Sequence, residues 1–126
     1  MAISLADQGL LKTGAYIDGQ WLAADDGATL DVVNPATGEV LAKVAKCGTA
    51  ETRRAIEAAA AAQADWRQRS VKERSAILRK WFELMMAAQE DLARILTAEQ
   101  GKPLAEARGE IAYGASYIEW FAEEAK

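Results

Sequence analysis

The last predicted helix carries apolar residues on two opposite sides, and this feature constrains the fold more than any other. One stripe, at helical spacings of three and four, consists of Leu104, Ala107, Ile111, Ala115, Ile118 and Ala122. A second stripe at similar spacings consists of Tyr113, Tyr117, Trp120 and Phe121. Because each residue turns a helix by about 100°, Tyr113 lies roughly 160° around the helix from Ile111. A helix of this kind requires cover on both sides.

The second stripe is costly to leave in water. Its four aromatic side chains would forgo about 1.5 to 3 kcal/mol each, or roughly 6 to 12 kcal/mol together, which is comparable with the stability of a whole domain. The chain has 126 residues, 51% of them apolar, but offers only two other predicted helices and a few short strands as cover. We therefore expect a missing partner, either another subunit or further chain. The absence of a glycine or asparagine cap near Lys126 favours further chain, and we expect this sequence to be a truncated piece.

The pattern predicts an α+β arrangement in three regions: an amino-terminal arm (1–14), a β-hairpin region (15–48) and a three-helix region (49–126). Strands are predicted near 15–22, 29–33 and 39–46. Turn signals separate them at Asp18-Gly19, at 25–27 and at 34–38, so the strands should form hairpins. At the last turn, Asn34 can bond its own backbone, Pro35 fixes φ and Gly38 allows a positive φ.

Capping residues mark the helix boundaries. Thr49 is predicted to cap a first helix over 50–66, and Ser70 with Glu73 forms a capping box for a long second helix over 71–99. The third helix begins near Pro103. One face of the second helix is predicted to enter the core, and it consists of Ile77, Trp81, Leu84, Met85, Ala88, Leu92, Ile95 and Leu96.

Composition excludes several classes of function. The formal net charge of −4 gives no electrostatic argument for nucleic acid or an anionic membrane, and the basic residues of the first two helices are interleaved with acidic ones. No apolar run approaches the roughly 20 residues of a membrane span, and no signal peptide is apparent, so we expect a cytoplasmic protein. Histidine is absent, which excludes histidine catalysis within this chain. The single cysteine, Cys47, lacks the activated setting of a nucleophile and is interpreted as structural.

Four stretches together resemble a known family. YIDGQW, VNPATGEVLAKV, EQGKPLAEARGEI and EWFAEEAK, in this order and spacing, are similar to the amino-terminal quarter of the aldehyde dehydrogenase superfamily. The resemblance covers essentially all of residues 11–126. The stretch GEIAYGASYIEWFAEEAK is similar to the corresponding helix of bacterial succinate-semialdehyde dehydrogenases, which are enzymes of the 4-aminobutyrate degradation route. Relatives that oxidise glutarate semialdehyde or similar ω-carboxy aldehydes share much of this helix.

The resemblance implies a parent enzyme about four times longer, in which this chain supplies the first strands and helices of a Rossmann-like cofactor domain. The parent would oxidise succinate semialdehyde to succinate through a cysteine thiohemiacetal, with NAD or NADP accepting hydride. It would also be a homo-oligomer. The nucleophilic cysteine, the glutamate base, the oxyanion asparagine and the phosphate-binding glycines would all lie beyond residue 126. We therefore expect the isolated chain to bind no cofactor and to be inactive.

The same resemblance assigns roles to a few residues of this chain. Tyr113 occupies a position that points into the family's substrate tunnel, and Tyr117 and Trp120 follow one and two turns later on that face. Simple core packing is the alternative for these aromatic residues. Val33, through its carbonyl, and Glu99, through its carboxylate, match positions that hold a structural monovalent cation. For Glu99 the alternative is a solvent-exposed helix end.

A function from another class remains open. The aromatic stripe would also suit a free-standing helical module that self-associates through Tyr113, Tyr117, Trp120 and Phe121. A cooperative melt and a discrete oligomer would favour such a module.

Overall fold

The computed structural model describes residues 3–126, in which two antiparallel hairpins follow a short amino-terminal arm. Strand β1 (Ala15–Ile17) pairs with β2 (Gln20–Leu22), and β3 (Thr29–Val33) pairs with β4 (Val40–Ala45), in two separate sheets. The predicted hairpins are confirmed, but the single strand predicted over 15–22 is wrong. Asp18 and Gly19 both have positive φ, 48° and 76°, and reverse the chain in a tight turn.

The second hairpin turn forms as its residues predicted. The Asn34 side chain accepts a hydrogen bond from the Ala36 amide at 2.9 Å, and the Gly38 amide donates to the Asn34 carbonyl at 2.8 Å. Gly38 has a φ of 73°, which a side chain would disfavour. Local side-chain chemistry therefore accounts for this turn without help from the rest of the fold.

Four helices follow: α1 (Thr49–Trp66), α2 (Val71–Ala87), α3 (Gln89–Gln100) and α4 (Leu104–Glu124). The predicted capping box of α2 is confirmed, since the Ser70 hydroxyl accepts from the Glu73 amide and the Glu73 carboxylate accepts from the Ser70 amide. Thr49 is not the cap of α1, because the helix already begins at Thr49 and Gly48 occupies the N-cap position. The Glu51 carboxylate accepts from the Gly48 amide at 3.0 Å and satisfies this end of the helix.

The long helix predicted over 71–99 is two helices. Ala88 separates them with φ −96° and ψ 10°, outside the α-helical region. Contacts with α4 lie directly after this break, since the Gln89 side-chain amide donates to the Arg108 carbonyl at 3.0 Å and Glu90 pairs with Arg108 at 2.7 Å. No glycine or proline marks the break, so the tertiary contacts and not a local signal distinguish α2 from α3.

Helix α4 packs against both α2 and α3, and small residues form the contact. Ala93 of α3 and three alanines of the first predicted stripe of α4, Ala107, Ala115 and Ala122, have no exposed surface. The burial of this side of α4 is thus confirmed. No large side chain in the described part of the chain is fully buried, so the core is thin.

The predicted core face of α2 is wrong for three of its residues. Ile77, Trp81 and Leu84 are exposed, Trp81 by 52%. The side of α2 that faces α4 carries Ser75, which is buried, and Arg79, which pairs with Glu119 of α4 at 2.7 Å. Ile77 lies about 160° around the helix from Ser75 and points away from α4.

The described part of the amino-terminal arm is held to α3 by one carboxylate. Asp91, which is buried, accepts hydrogen bonds from the amides of Ala6 and Asp7 at 2.9 and 2.8 Å. The arm then forms a short 3₁₀ turn, Gln8–Leu10, and leads into β1.

Candidate functional site

The second stripe of α4 lies uncovered in the structure. We call Tyr113, Tyr117, Trp120 and Phe121 the aromatic face of α4. Their side chains are 63%, 49%, 62% and 58% exposed, and they lie on the side of α4 opposite the buried alanines. With residues of the same helix they line an open groove of about 650 Å³. The structure thus brings together all three predicted pocket residues, Tyr113, Tyr117 and Trp120.

Tyr113 and Tyr117 form a hydroxyl pair at the centre of this face. Four residues apart, they lie one helical turn from each other, and their rings meet edge to face with centroids 5.1 Å apart. Their phenol oxygens share a hydrogen bond. The hydrogen bond with Tyr113 raises the pKa of the Tyr117 phenol above its ordinary value of about 10, so Tyr117 is protonated at neutral pH.

Charged residues at the rim of the groove carry partners of their own. Glu119 pairs with Arg79 of α2 at 2.7 Å, and Glu123 pairs with Lys126 at 2.9 Å. The hydrogen bond from Lys126 holds the pKa of the Glu123 carboxyl below its usual range. Part of the negative charge of the rim is therefore compensated by adjacent cations.

The two tyrosines also line a second groove, of about 480 Å³, between α3 and α4. Apolar residues such as Leu96 and Ile111 form much of its wall, and Glu99 lies at its edge. Tyr113 and Tyr117 therefore stand on the ridge between two apolar grooves, whereas Trp120 lines only the first. The hydroxyl pair therefore lies between two apolar surfaces.

The two predicted cation ligands lie in the same region of the molecule. Val33 ends β3, and Glu99 is exposed near the end of α3. Glu99 and Val32, the neighbour of Val33, line one crevice. Within residues 3–126 no group of three or more histidine, cysteine, aspartate or glutamate side chains is placed to hold a metal ion. The assignment of Val33 and Glu99 to a monovalent cation stays a prediction.

The structure shows the surroundings of Cys47 and of two of the basic residues. Cys47 is a half-buried free thiol between β4 and α1. Arg54, one of the basic residues in question, pairs with Asp25 through two hydrogen bonds of 2.7 Å, and Arg69 pairs with Asp65 at 3.0 Å. These guanidinium groups are engaged by carboxylates, as the interleaved charges predicted.

Sequence reasoning missed two carboxylates that organise the backbone. Glu51 is buried and accepts hydrogen bonds from the amides of Asp25 and Gly48, so it ties the loop after β2 to the start of α1. Asp91 does the same for the arm. The position of Glu51 in the first turn of α1 was a usable signal, since acidic residues there often cap a helix. No local pattern pointed to Asp91, whose partners lie about 85 residues away.

A further uncovered surface, which we call the apolar face of α2, consists of Ile77, Trp81 and Leu84. It points away from α4, so the helix pair presents apolar side chains on two outer sides. None of the helices in residues 3–126 combines the length and apolar composition needed to cross a bilayer.

Comparisons with known proteins agree with the resemblance. The model of the aldehyde dehydrogenase family matches residues 21–126. A glutarate-semialdehyde dehydrogenase of Pseudomonas putida is 65% identical over 124 residues, and a 3-sulfolactaldehyde dehydrogenase of Pseudomonas putida is 54% identical over 124 residues. In both cases the match covers 98% of this chain and 26% of the relative.

A solved structure gives the same result for the fold. The crystal structure of succinate-semialdehyde dehydrogenase from Burkholderia pseudomallei is 64% identical and superimposes with a TM-score of 0.93. The match covers 96% of this chain and 25% of that one. The chain thus spans about a quarter of the length of the relatives that it matches.

Proposed function

Since the chain belongs to the aldehyde dehydrogenase family, we propose that it forms the amino-terminal part of an NAD(P)-dependent enzyme that oxidises a short semialdehyde to the corresponding acid. The observation that carries the proposal is the similarity to semialdehyde dehydrogenases along 98% of the chain. In this proposal the reactive cysteine and the cofactor-binding residues come from the rest of the enzyme.

The names of the relatives support a substrate class. Succinate semialdehyde and glutarate semialdehyde carry an aldehyde at one end and a carboxylate at the other, and 3-sulfolactaldehyde carries a sulfonate in place of the carboxylate. The shared chemistry is a short aldehyde with an anion at the far end. We propose succinate semialdehyde or glutarate semialdehyde as the substrate.

The proposed contribution of this segment is to line the substrate pocket. Tyr113, Tyr117 and Trp120 supply a rigid apolar wall, and an aromatic wall suits the short methylene chain between the two ends of such a substrate. The wall would also exclude water from the reacting aldehyde once the remaining chain covers it.

The test is an assay of the enzyme encoded by the complete reading frame that contains these residues. We expect reduction of NAD or NADP with succinate semialdehyde and with glutarate semialdehyde, followed by absorbance of the reduced nicotinamide. The ratio of kcat/KM for the two aldehydes identifies the preferred chain length, and the ratio for the two cofactors identifies the hydride acceptor. An enzyme that oxidises neither semialdehyde contradicts the proposal.

The uncovered aromatic face of α4 also fits a self-associating module. Size-exclusion chromatography with light scattering of the 126-residue chain separates the two functions. A discrete oligomer with a cooperative thermal melt would favour the module over the dehydrogenase segment. In that case the tryptophan fluorescence should also shift to shorter wavelength when the chains associate.

A further inference from the structure

The turn between β1 and β2 is an aspartate-glycine pair whose reactive atoms are free. Asp18 and Gly19 form the two-residue loop of this hairpin, and both are exposed. Within residues 3–126 no hydrogen bond engages the Asp18 carboxylate or the Gly19 amide. A Cβ added at Gly19 would meet nothing within 4 Å, so the space around the Gly19 amide is open.

We propose that Asp18 is a site of spontaneous backbone isomerisation, at which the Asp18–Gly19 linkage is converted to an isoaspartyl linkage. The modification needs no enzyme, and the inference does not depend on the aldehyde chemistry proposed above.

The reaction has two steps, and water is its only co-reactant. In the first step the Gly19 nitrogen bonds to Cγ of Asp18, and the carboxyl hydroxyl leaves with the proton of that nitrogen as water. The product is a five-membered succinimide ring. In the second step water adds to one of the two ring carbonyls, and the C–N bond at that carbonyl breaks. Cleavage at Cγ restores aspartate, whereas cleavage at the main-chain carbonyl leaves the chain running through Cγ and sets the α-carboxylate free.

The backbone of this turn is one peptide rotation away from the conformation that closes the ring. The φ values of 48° at Asp18 and 76° at Gly19 are typical of a type I′ turn. Rotation of the peptide plane between the two residues gives a type II′ turn, with φ of about 60° and ψ of about −120° at the first central residue. A succinimide ring holds ψ near that second value, because it ties Cγ to the next nitrogen. Both turn types join the same two-residue hairpin, so the ring can close without loss of the β1–β2 pairing.

The second aspartate-glycine pair, Asp26-Gly27, lacks this freedom. The Gly27 amide donates to the Ala24 carbonyl at 2.9 Å, and the Asp26 carboxylate accepts from the Ala28 amide at 2.8 Å. Asp18 is the one non-glycine residue with positive φ in the described part of the chain, so Asp26 does not share its turn geometry. Both hydrogen bonds must break before a ring can form at Asp26. The same dipeptide is therefore expected to react at one position and to be protected at the other.

The rearrangement would change the loop that sets the register of β1 and β2. An isoaspartyl residue adds one main-chain carbon, which the two-residue turns do not accommodate. The burial of Ile17 and the contact between Tyr16 and Trp21, whose ring centroids are 5.1 Å apart, depend on that register. We therefore expect the modification to loosen the first hairpin and to expose a new α-carboxylate at its tip.

The experiment ages the folded enzyme from the complete reading frame at neutral pH and physiological temperature, and then measures isoaspartate at the two pairs. Chymotrypsin cleaves after aromatic and leucine residues and separates the pairs into the peptides 17–21 and 22–30. Isoaspartate in each peptide is quantified by methyl transfer from S-adenosylmethionine with an isoaspartyl methyltransferase. We expect roughly 10-fold more at Asp18 than at Asp26, because two hydrogen bonds protect the second site.

Two controls test whether the folded structure causes the difference. In concentrated urea it should shrink to less than about 2-fold, because glycine follows aspartate in both pairs and the protecting bonds are lost. Asp18→Gly keeps a residue suited to positive φ, and it should remove isoaspartate from peptide 17–21 while leaving the level at Asp26 unchanged.

Three results would overturn the inference. The folded enzyme could form no isoaspartate at Asp18, or it could form as much at Asp26 as at Asp18. A difference that persists undiminished in urea would assign the preference to the local sequence and not to the turn.

Discussion

At the scale of single residues, Gly101 and Gly109 serve different purposes. Gly101 ends α3 with a φ of 87°, and a Cβ added there would lie 3.0 Å from Cγ of Pro35. Gly109 lies within α4, and a Cβ there would meet nothing within 4 Å. Gly101 is therefore required by its left-handed backbone conformation and by its close contact with Pro35 of the hairpin turn. Neither reason applies to Gly109.

These two positions give opposite predictions for the same substitution. Gly101→Ala should lower the free energy of unfolding by about 1 to 2 kcal/mol, because a side chain disfavours the left-handed conformation. Gly109→Ala should raise it by about 0.5 to 1 kcal/mol, because glycine is a poor helix former. Urea unfolding followed by circular dichroism measures both. Equal effects of the two substitutions would contradict the structural assignment.

The carboxylate of Glu51 makes one part of the fold sensitive to acid. Hydrogen bonds from the backbone amides, the Asp25 amide foremost, hold the pKa of Glu51 below its ordinary value. Because the pKa is lower in the folded state, the stabilisation is complete above the unfolded value of about 4.3 and is lost as the pH falls through the folded pKa.

We therefore expect the amide resonances of Asp25 and Gly48 to titrate together as Glu51 is protonated, at a pH below the ordinary glutamate value of about 4.3. Nuclear magnetic resonance spectra recorded as the pH is lowered would measure this. In Glu51→Gln the joint titration should disappear, since the side chain has no ionisable group. Its persistence in the variant would assign the acid sensitivity to another carboxyl.

At the scale of elements, the two helix starts differ in how they are capped. Ser70 begins α2 with a reciprocal capping box, whereas Thr49 lies inside α1 and is exposed. The Gly48 amide is satisfied instead by Glu51. Both starts are stabilised by a glutamate three residues after the N-cap, although only one has a capping hydroxyl.

This difference predicts unequal effects of two alanine substitutions. Ser70→Ala should lower the free energy of unfolding by about 1 kcal/mol, because the Glu73 amide loses its acceptor. Thr49→Ala should change it by less than about 0.5 kcal/mol, as expected for a surface substitution. Urea unfolding of both variants decides the point, and a larger loss for Thr49→Ala would restore Thr49 as the cap.

The second helix shows where element prediction fails. Its apolar residues from Ile77 to Leu96 follow a helical period that continues through Ala88 without interruption. The structure divides the period between two helices and exposes its first three members. A periodic stripe indicates that one face of a helix is apolar, but it does not predict which other element packs against that face.

At the scale of the whole molecule, the thin core and the two uncovered faces belong together. Alanines fill the contact between α4 and its neighbours, so the helices approach closely but bury little apolar surface. The large apolar side chains point outward instead, on the apolar face of α2 and the aromatic face of α4. Much of the apolar surface that would stabilise a domain is therefore available for contacts beyond the described residues.

We expect the isolated 126-residue chain to bind the dye 8-anilinonaphthalene-1-sulfonate strongly, because the aromatic face of α4 is a contiguous apolar patch. The double variant Trp120→Ser with Phe121→Ser should bind markedly less dye. Ile56→Ser is the control, since Ile56 is a large apolar residue exposed on α1 and lies outside the aromatic face, and dye binding should be unchanged. Dye fluorescence that falls equally in both variants would show that the patch is not the binding surface.

The sequence by itself determined the features that depend on near neighbours. The turn at 34–38, the capping box of Ser70 and Glu73 and the two-sided character of α4 each rest on residues within a few positions of one another. The family resemblance, confirmed by the match over residues 21–126, rests likewise on the order and spacing of short motifs. Each of these features can be read from the types and spacing of residues along the chain, without knowledge of which surfaces meet.

Only the tertiary structure decided which surfaces meet. The break at Ala88, the outward direction of Trp81 and the attachment of the arm by Asp91 depend on contacts between residues tens of positions apart. The hydrogen bond between the Tyr113 and Tyr117 hydroxyls was also decided by the tertiary structure. Helical spacing predicts that the two rings are neighbours, but it does not predict where their oxygens lie. Burial and side-chain hydrogen bonding depend on what each helix face packs against, and periodicity along one chain segment carries no information about that neighbour.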